Sequence, residues 1–391
     1  MSNQDRKEIK LWDITSYVNR GIPPKYSDEW IFIINQKCIR DNTISFDEAR
    51  FHDKSKKIMQ EKIIQKYDIL INSTWVWTLW RLAQYKKIIN KNVTVDSHVS
   101  IVRPFNNQDV SSEFVWYSLI NQQSKIENLG RWATWQTELS RDDIKDLDLL
   151  LPPFPTQQAI ASILSKYEDL IENNNQRIKI LEQEAELIYK EWFVKFKFSW
   201  HEDVKMVDSW TEFELIPEGW SIWKIIDLIR ISKGKNITKD TVTEWSIPVV
   251  AWWLNPSCYH NKANTKWPVI TISASGANAG YVNLYYQDVW ASDCSYVDLN
   301  TTPYVYYYYL LFRAKQTEIS WLQVWSAQPH VYPKDLMWLK TINIPEEILK
   351  SFTKLITPIF LDISNLQKQN ENLKETRDIL LPKLINWEVE V

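Results

Sequence analysis

Two stretches of this chain carry the same alternating apolar spacing, and any fold must give both of them a partner. Ile171, Asn174, Ile178, Leu181, Ala185, Ile188 and Trp192 step 3-4-3-4-3-4. That is the period of a coiled-coil seam and not the 3.6 of a helix lying on a globular core. Near the C-terminus Ile363, Leu366, Asn370, Leu373, Arg377, Leu380 and Leu384 step in the same way. Each seam spans roughly 32 Å at 1.5 Å per residue. Each also follows a strand-like run that proline stops, Leu147 to Pro152 and Ile342 to Pro345, because proline lacks the amide that a sheet or helix interior uses. From Thr156 to Trp192 there is neither proline nor glycine. The expectation is two long helices that pair with each other, each with one seam Asn that costs stability and fixes register.

At 391 residues, 45% hydrophobic and 24% charged, the chain has enough apolar material for two or three cores. A net charge of -3 argues against a uniformly basic nucleic-acid binder and leaves room for local basic patches. Cys38, Cys258 and Cys294 are odd in number and far apart, and the five histidines show no ligand spacing, so no disulfide framework and no metal site is expected. The N-terminal MSNQDRKEIK is polar and no run reaches the roughly eighteen apolar residues of a membrane span. A cytoplasmic protein without membrane contact is expected.

One compositional feature is abnormal: Trp is 22 and Gly is 6. Average glycine usage would give roughly 27 in a chain of this length. Many of the tryptophans sit in turn-like polar strings, Trp75, Trp77 and Trp80 in NSTWVWTLWR, Trp132 and Trp135 in GRWATWQ, Trp252 and Trp253 in VAWWLNP, and Trp267 before Pro268. An indole does not suit a turn that needs φ > 0. The pattern is that of a gene in which UGA is read as glycine, with TGA codons at these positions and TGG at Trp192, Trp220 and Trp290.

The chain also repeats itself. Gln136, Leu139, Asp143, Ile144 and Leu147 match Gln328, Val331, Asp335, Leu336 and Leu339 at a constant offset of 192. Further upstream Asp68–Tyr85 resembles Pro268–Tyr285, with Gly276 and Gly280 near Trp75 and Trp80, and Arg20-Gly21 has its counterpart in Lys233-Gly234. Short alternating strands such as Ile31 to Asn35, Ile69 to Asn72, Val99 to Arg103, Val269 to Ser273 and Tyr296 to Asp298, with a helix at Glu113 to Gln122, read as α+β. The expected order is a globular domain over 1–151, a helical spacer over 152–198, a second globular domain over 199–344 and a C-terminal spacer over 345–391.

Phosphate-loop, dinucleotide, metalloprotease, nucleophile-elbow and CxxC patterns are all absent, so no catalytic residues are expected. Recognition fits better. The turn with Asn72, Ser73, Thr74, Thr78 and Arg81, and its partner with Ser273, Ser275 and Asn278, are rich in short hydrogen-bonding groups of the kind that contact base edges and phosphates. Lys37 and Arg40, Arg131 with Thr134 and Gln136, Lys262 and Lys266 with Asn264, and Gln328 with His330 supply basic and amide groups nearby. For each of these residues, a turn cap or a solvated side chain explains its presence equally well.

With the run LLLPPFPTQQAIASIL before a helix ending YKEWF, DILINST and DSHVSIVRP in the first half, IPEGW opening the second and LLPKLINWEVEV at the end, the whole chain resembles the DNA-specificity subunit of type I restriction-modification systems. The family usually has glycine in place of Trp387. The resemblance implies two target-recognition domains, each reading one half of a bipartite double-stranded DNA site, with the helices as an antiparallel spacer that fixes the unread gap. It implies a subunit without chemistry of its own: methylase subunits using S-adenosylmethionine dock on the helices, and restriction subunits using ATP and Mg join to cleave. A spacer of about 32 Å is close to one DNA turn, roughly 34 to 36 Å. Two other readings stay open, the specificity module of a methyltransferase-only system and a coiled-coil scaffold that never touches DNA.

Overall fold

The computed structural model describes residues 7–53, 55, 58–74, 78–86, 92–123, 138–237, 246–251, 256–323 and 329–391. The chain forms two compact units, residues 1–172 with 371–391, and residues 173–370. The division between the units falls within both long helices, so each helix contributes residues to both.

The first unit is built on a four-stranded antiparallel sheet ordered Thr15–Arg20, Val99–Pro104, Ile69–Asn72, Leu82–Gln84. The second unit repeats it as Ser232–Lys233, Cys294–Asp298, Val269–Ser273, Val282–Tyr285. The smaller second sheets correspond as well. Val93–Val95 runs parallel to Ile31–Ile34, which pairs antiparallel with Arg50–His52; Trp290–Ala291 runs parallel to Ile247–Val250, which pairs with Cys258–His260. A two-stranded ribbon leads into each long helix, Lys7–Lys10 with Asp148–Leu151 and Ser221–Lys224 with Lys340–Asn343.

From the end of each globular part the offset of 192 is kept through short helix, strand and long helix: Arg141–Lys145 and Pro333–Met337, Asp148–Leu151 and Lys340–Asn343, Phe154–Phe193 and Glu346–Ile385. Ser140 and Asp143 close a capping box on the first short helix, and the Tyr332 amide donates to Asp335 at the same place in the second. The long helices have 40 residues each, or about 60 Å. Pro155 is accommodated in the first turn, where an amide has no partner in any case.

Within each unit the two helices run antiparallel. In the first, Ile160, Ala161 and Leu164 share a core with Leu381, Leu384 and Ile385. In the second, Ala185, Tyr189, Trp192 and Phe193 pack with Phe352, Ile356, Phe360 and Ile363. The two seam Asn residues meet: Asn174 Nδ2 donates to Asn370 Oδ1 at 3.0 Å, and Asn370 Nδ2 donates to Asn175 Oδ1 at 2.9 Å. Ile171 and Leu366 are buried, while Ile178, Leu181, Ile188, Leu373 and Leu380 are half-buried. Toward its end the buried line of the first helix moves from Ile188 to Tyr189. There the helix packs on a globular core, with Tyr189 against Tyr307 and Phe352, and the 3.6 period takes over.

The tryptophan anomaly is visible in the backbone. Of ten described non-glycine residues at positive φ, five are Trp30, Trp80, Trp200, Trp210 and Trp387. Trp80 (φ 74) and Gly280 (φ 80) hold equivalent places: the Trp80 amide donates to Asn72 O at 2.9 Å and the Gly280 amide to Ser273 O at 2.8 Å. Trp387 occupies the left-handed position that closes the C-terminal helix, where the Glu388 amide returns to Lys383 O at 2.8 Å, a place glycine usually fills. Trp192 and Trp220 instead pack against aromatic rings, and Trp290 donates its indole N–H to Lys235 O at 2.8 Å. Trp267 is not among the positive-φ residues, and Trp75, Trp77, Trp132, Trp135, Trp252 and Trp253 lie outside the described residues.

Trp210 is 88% exposed at φ 56, so its removal leaves no cavity. Trp210→Gly is expected to stabilise the fold by about 1 kcal/mol and Trp210→Ala, which keeps the left-handed strain, to gain nothing comparable; thermal melts of the two variants check this.

Candidate nucleic-acid interface

The central strand of each main sheet has one end toward a long helix and one away from it. In the first unit Ile69–Asn72 starts beside Leu82–Gln84, and Lys86, just beyond, pairs with Glu168 of the long helix. The opposite end leads to Ser73 and Thr74. There the strands around the turn are tied by backbone bonds: Ser73 N to His98 O at 2.8 Å, Leu139 N to Ser73 O at 3.0 Å, and a bridge between Thr74 and Glu138. The second unit repeats every tie, with Ala274 N to Asp293 O at 3.3 Å, Val331 N to Ala274 O at 2.9 Å, and a bridge between Ser275 and His330.

These ends are rigid because two backbones touch there. A Cβ on Gly21 would lie 2.0 Å from Val95 O, and one on Gly234 would lie 2.0 Å from Ser292 O. Only glycine permits that approach. The Gly21 amide donates to Val99 O and the Gly234 amide to Cys294 O, so the same clamp holds both units.

The structure gathers one set of the expected contact residues around the first end. Asn72 is buried and its Nδ2 donates to Gln36 O at 3.0 Å, which anchors the turn carrying exposed Lys37. Ser73 Oγ lies 2.6 Å from Ser100 Oγ, and Thr74 Oγ1 lies 2.8 Å from His98 Nδ1. Thr78 returns to Thr74 O at 3.4 Å, and the Arg81 amide to Thr78 O at 3.4 Å. Arg40 is exposed on the neighbouring hairpin.

In the second unit Ser275 Oγ donates to Asp293 Oδ2 at 2.5 Å, and His330 stacks on Tyr332 at 5.7 Å. Asn264 clips Ala291 from both sides, Nδ2 to its carbonyl at 2.9 Å and Oδ1 from its amide at 2.7 Å. Ser273 is buried, Asn278 belongs to the turn Gly276–Asn278, and Lys262 is exposed. Lys266 is not brought to this end: its amide bonds Asp298 at 2.8 Å, across from Val269 where the strand begins.

Asn72, Ser73, Thr74, Ser273, Ser275 and Asn264 thus have side-chain bonds within their own units and frame these ends. Arg131, Thr134, Gln136 and Gln328 lie outside the described residues.

Sequence reasoning did not count Arg20, Lys62, His98, Lys233 or Asp293 among the contact residues at these ends. Arg20 donates to Leu139 O at 2.9 Å and faces Glu138 at 3.4 Å. His98 and Asp293 occupy equivalent backbone positions, and Lys233 is exposed where Arg20 stands in the first unit. The signal was available in SHVS set against SDCS, but this pair lies at an offset of 195, between the 200 of the preceding match and the 192 of the following one. Lys62 adds a cation to the first end, its Nζ donating to Gly21 O at 2.7 Å; burial holds its ammonium below the usual lysine range.

The buried thiols are not poised for chemistry, since burial pushes Cys38 up to about 11 and Cys294 up to about 12. Among the described residues no group of three His, Cys, Asp or Glu side chains is placed to hold a metal, and no helix is long and apolar enough to cross a membrane. What these ends offer is hydrogen bonding on a rigid frame flanked by cations.

Comparison with known proteins gives a consistent result. Residues 5–183 match the type I restriction modification DNA specificity domain. The type I restriction enzyme MjaIX specificity subunit of Methanocaldococcus jannaschii is 26% identical over 371 residues, covering 89% of this chain and 83% of that protein. A putative type I specificity subunit of Mycoplasma genitalium is 22% identical, covering 77% of each chain. Among solved structures, the S subunit of a type I restriction-modification system from M. genitalium shares the fold, with a TM-score of 0.58 at 15% identity over 98% of this chain and 97% of that one.

Proposed function

This chain belongs to the family of type I restriction-modification DNA-specificity subunits, and on that premise we propose that each of its units reads one half of a bipartite, asymmetric target in double-stranded DNA. The observation that carries the reading is the repeat itself. The same sheet order, glycine clamp and strand-end ties occur twice, while the side chains on them differ. Two alike scaffolds with unlike side chains suit two different half-sites.

The long helices are continuous through residues of both units, and the Asn174–Asn370 pair fixes their register. In this reading their length sets the unread gap. Exposed Lys37, Arg40, Lys262, Lys233 and Lys235 supply phosphate and base contacts, on ends framed by the buried Asn, Ser and Thr groups. Arg81, Asn278 and His330 extend the same surfaces, Lys266 contacts the backbone further out, and Arg131, Thr134, Gln136 and Gln328 are assigned to DNA contact from the sequence alone.

The chain itself is a recognition subunit and performs no catalysis. Leu170, Ile180, Leu187 and Ile379 are each more than half exposed on the long helices, which suits docking of methylase subunits. Those subunits bring S-adenosylmethionine and flip the target adenine; restriction subunits bring ATP and Mg for cleavage. The setting is the cytoplasm, where the DNA is.

Selection from random duplex pools with the chain and its neighbouring methylase subunit tests the reading. Two short defined motifs separated by a fixed undefined gap are expected. Enrichment of nothing would leave the protein a scaffold.

A further inference from the structure

We infer that the two equivalent strand ends are the points at which base identity is set, His98 acting in the first unit and Asp293 in the second. The inference rests on the proposed reading and adds residues to it.

The two positions match by backbone bonding alone. His98 O accepts from Ser73 N, and Asp293 O accepts from Ala274 N, the next strand residue in each case being Val99 and Cys294. Each side chain is steered by the hydroxyl of the facing turn, Thr74 at 2.8 Å from the imidazole Nδ1 and Ser275 at 2.5 Å from the carboxylate. Both residues are half-buried, so each has one side against a fixed frame and one toward solvent. The glycine clamps at Gly21 and Gly234 hold the adjoining carbonyls in place. Exposed or half-exposed cations flank both, Arg20 in one unit and Lys233 with Lys235 in the other.

What differs is the chemistry. Where the Thr74 hydroxyl donates to Nδ1, the imidazole carries its proton on Nε2, which makes that nitrogen a donor. A donor there reads purine N7 or guanine O6 in the major groove. The Asp293 carboxylate has acceptor capacity beyond the Ser275 bond and reads an exocyclic amino group, cytosine N4 or adenine N6. A frame shared by both units, with a donor in one and an acceptor in the other, gives the two half-sites different sequences from one architecture.

The test uses the full chain with its methylase subunit and random duplex pools, comparing wild type with Asp293→Asn and His98→Ala. Asp293→Asn is expected to relax the second half-motif about tenfold at one or two positions and leave the first half-motif and gap intact. His98→Ala is expected to do the reverse. The untouched half-motif reports that the variant is folded. Unchanged stringency in both variants overturns the inference while the split-motif reading stands. Equal loss of both half-motifs in either variant also overturns it, by showing a structural role. A wild-type chain that selects no split motif removes the reading and the inference together.

Discussion

Arg103→Met is expected to cost the first unit about 3 to 5 kcal/mol at neutral pH, the loss typical of a buried charge left alone. Arg103 Nε and Nη2 donate to the two Asp68 carboxylate oxygens at 2.8 and 2.7 Å, and Nη2 also donates to Ile63 O at 3.0 Å. The Asp68 side chain has no exposed surface. Burial pushes its carboxyl up, and the Arg103 guanidinium opposes that shift. Without the guanidinium the Gln65 amide, 2.8 Å away, is the one donor among the described residues that still supports the charge.

The sign of the pH dependence follows. In the variant the carboxyl is raised further in the folded state, so the folded chain binds its proton more tightly than the unfolded chain does. The deficit is then full at neutral pH and shrinks as pH falls toward the ordinary carboxylate range. Urea unfolding at pH 7 and pH 5 checks both the size and the trend. Asp68→Leu combined with Arg103→Met is expected to recover most of the loss, because no buried charge remains. The second unit has no equivalent pair: Val269 stands in the place of Asp68, and Asp298, opposite it, is satisfied by Thr301, Asn300 and the Lys266 amide.

The long helices and the offset of 192 were legible because local chemistry repeats there. Proline stops, capping residues and a seam with Asn at one step all act within a few residues of chain. The helix ends moved by only a residue or two, from Thr156 to Phe154 and from Trp192 to Phe193. Strands Ile69–Asn72 and Val269–Ser273 were equally plain, being short apolar runs bounded by polar turns.

The strand ends were less legible. Ser73 and Thr74 look alike whether they brace a turn or face a ligand, and only tertiary neighbours such as Ser100 and His98 decide it. Lys266 seemed near Asn264 in sequence, yet the strand carries it to the opposite end of the sheet. The equivalence of His98 and Asp293 was masked because its offset of 195 differs from the 200 before it and the 192 after it, which matching at constant offset does not absorb. Trp80 marked a turn while obscuring it, since it sits where its repeat partner is Gly280.

A larger functional effect is expected from lengthening the helices. One heptad inserted between Glu172 and Asn173, and another between Asn370 and Glu371, falls at the division between the units and keeps Asn174 and Asn370 on the same side, still able to pair. A heptad preserves the seam and adds about 10 Å, the rise of about three base pairs. Both globular parts are untouched, so both half-motifs should persist.

The most direct measurement is therefore the motif selected, or methylated, by the complex carrying this doubly extended chain. Two wild-type half-motifs separated by a gap about three base pairs longer is the outcome expected if the helices set the distance between readers. Wild-type half-motifs at the original spacing would contradict it, since the distance would then be fixed by something other than the helices.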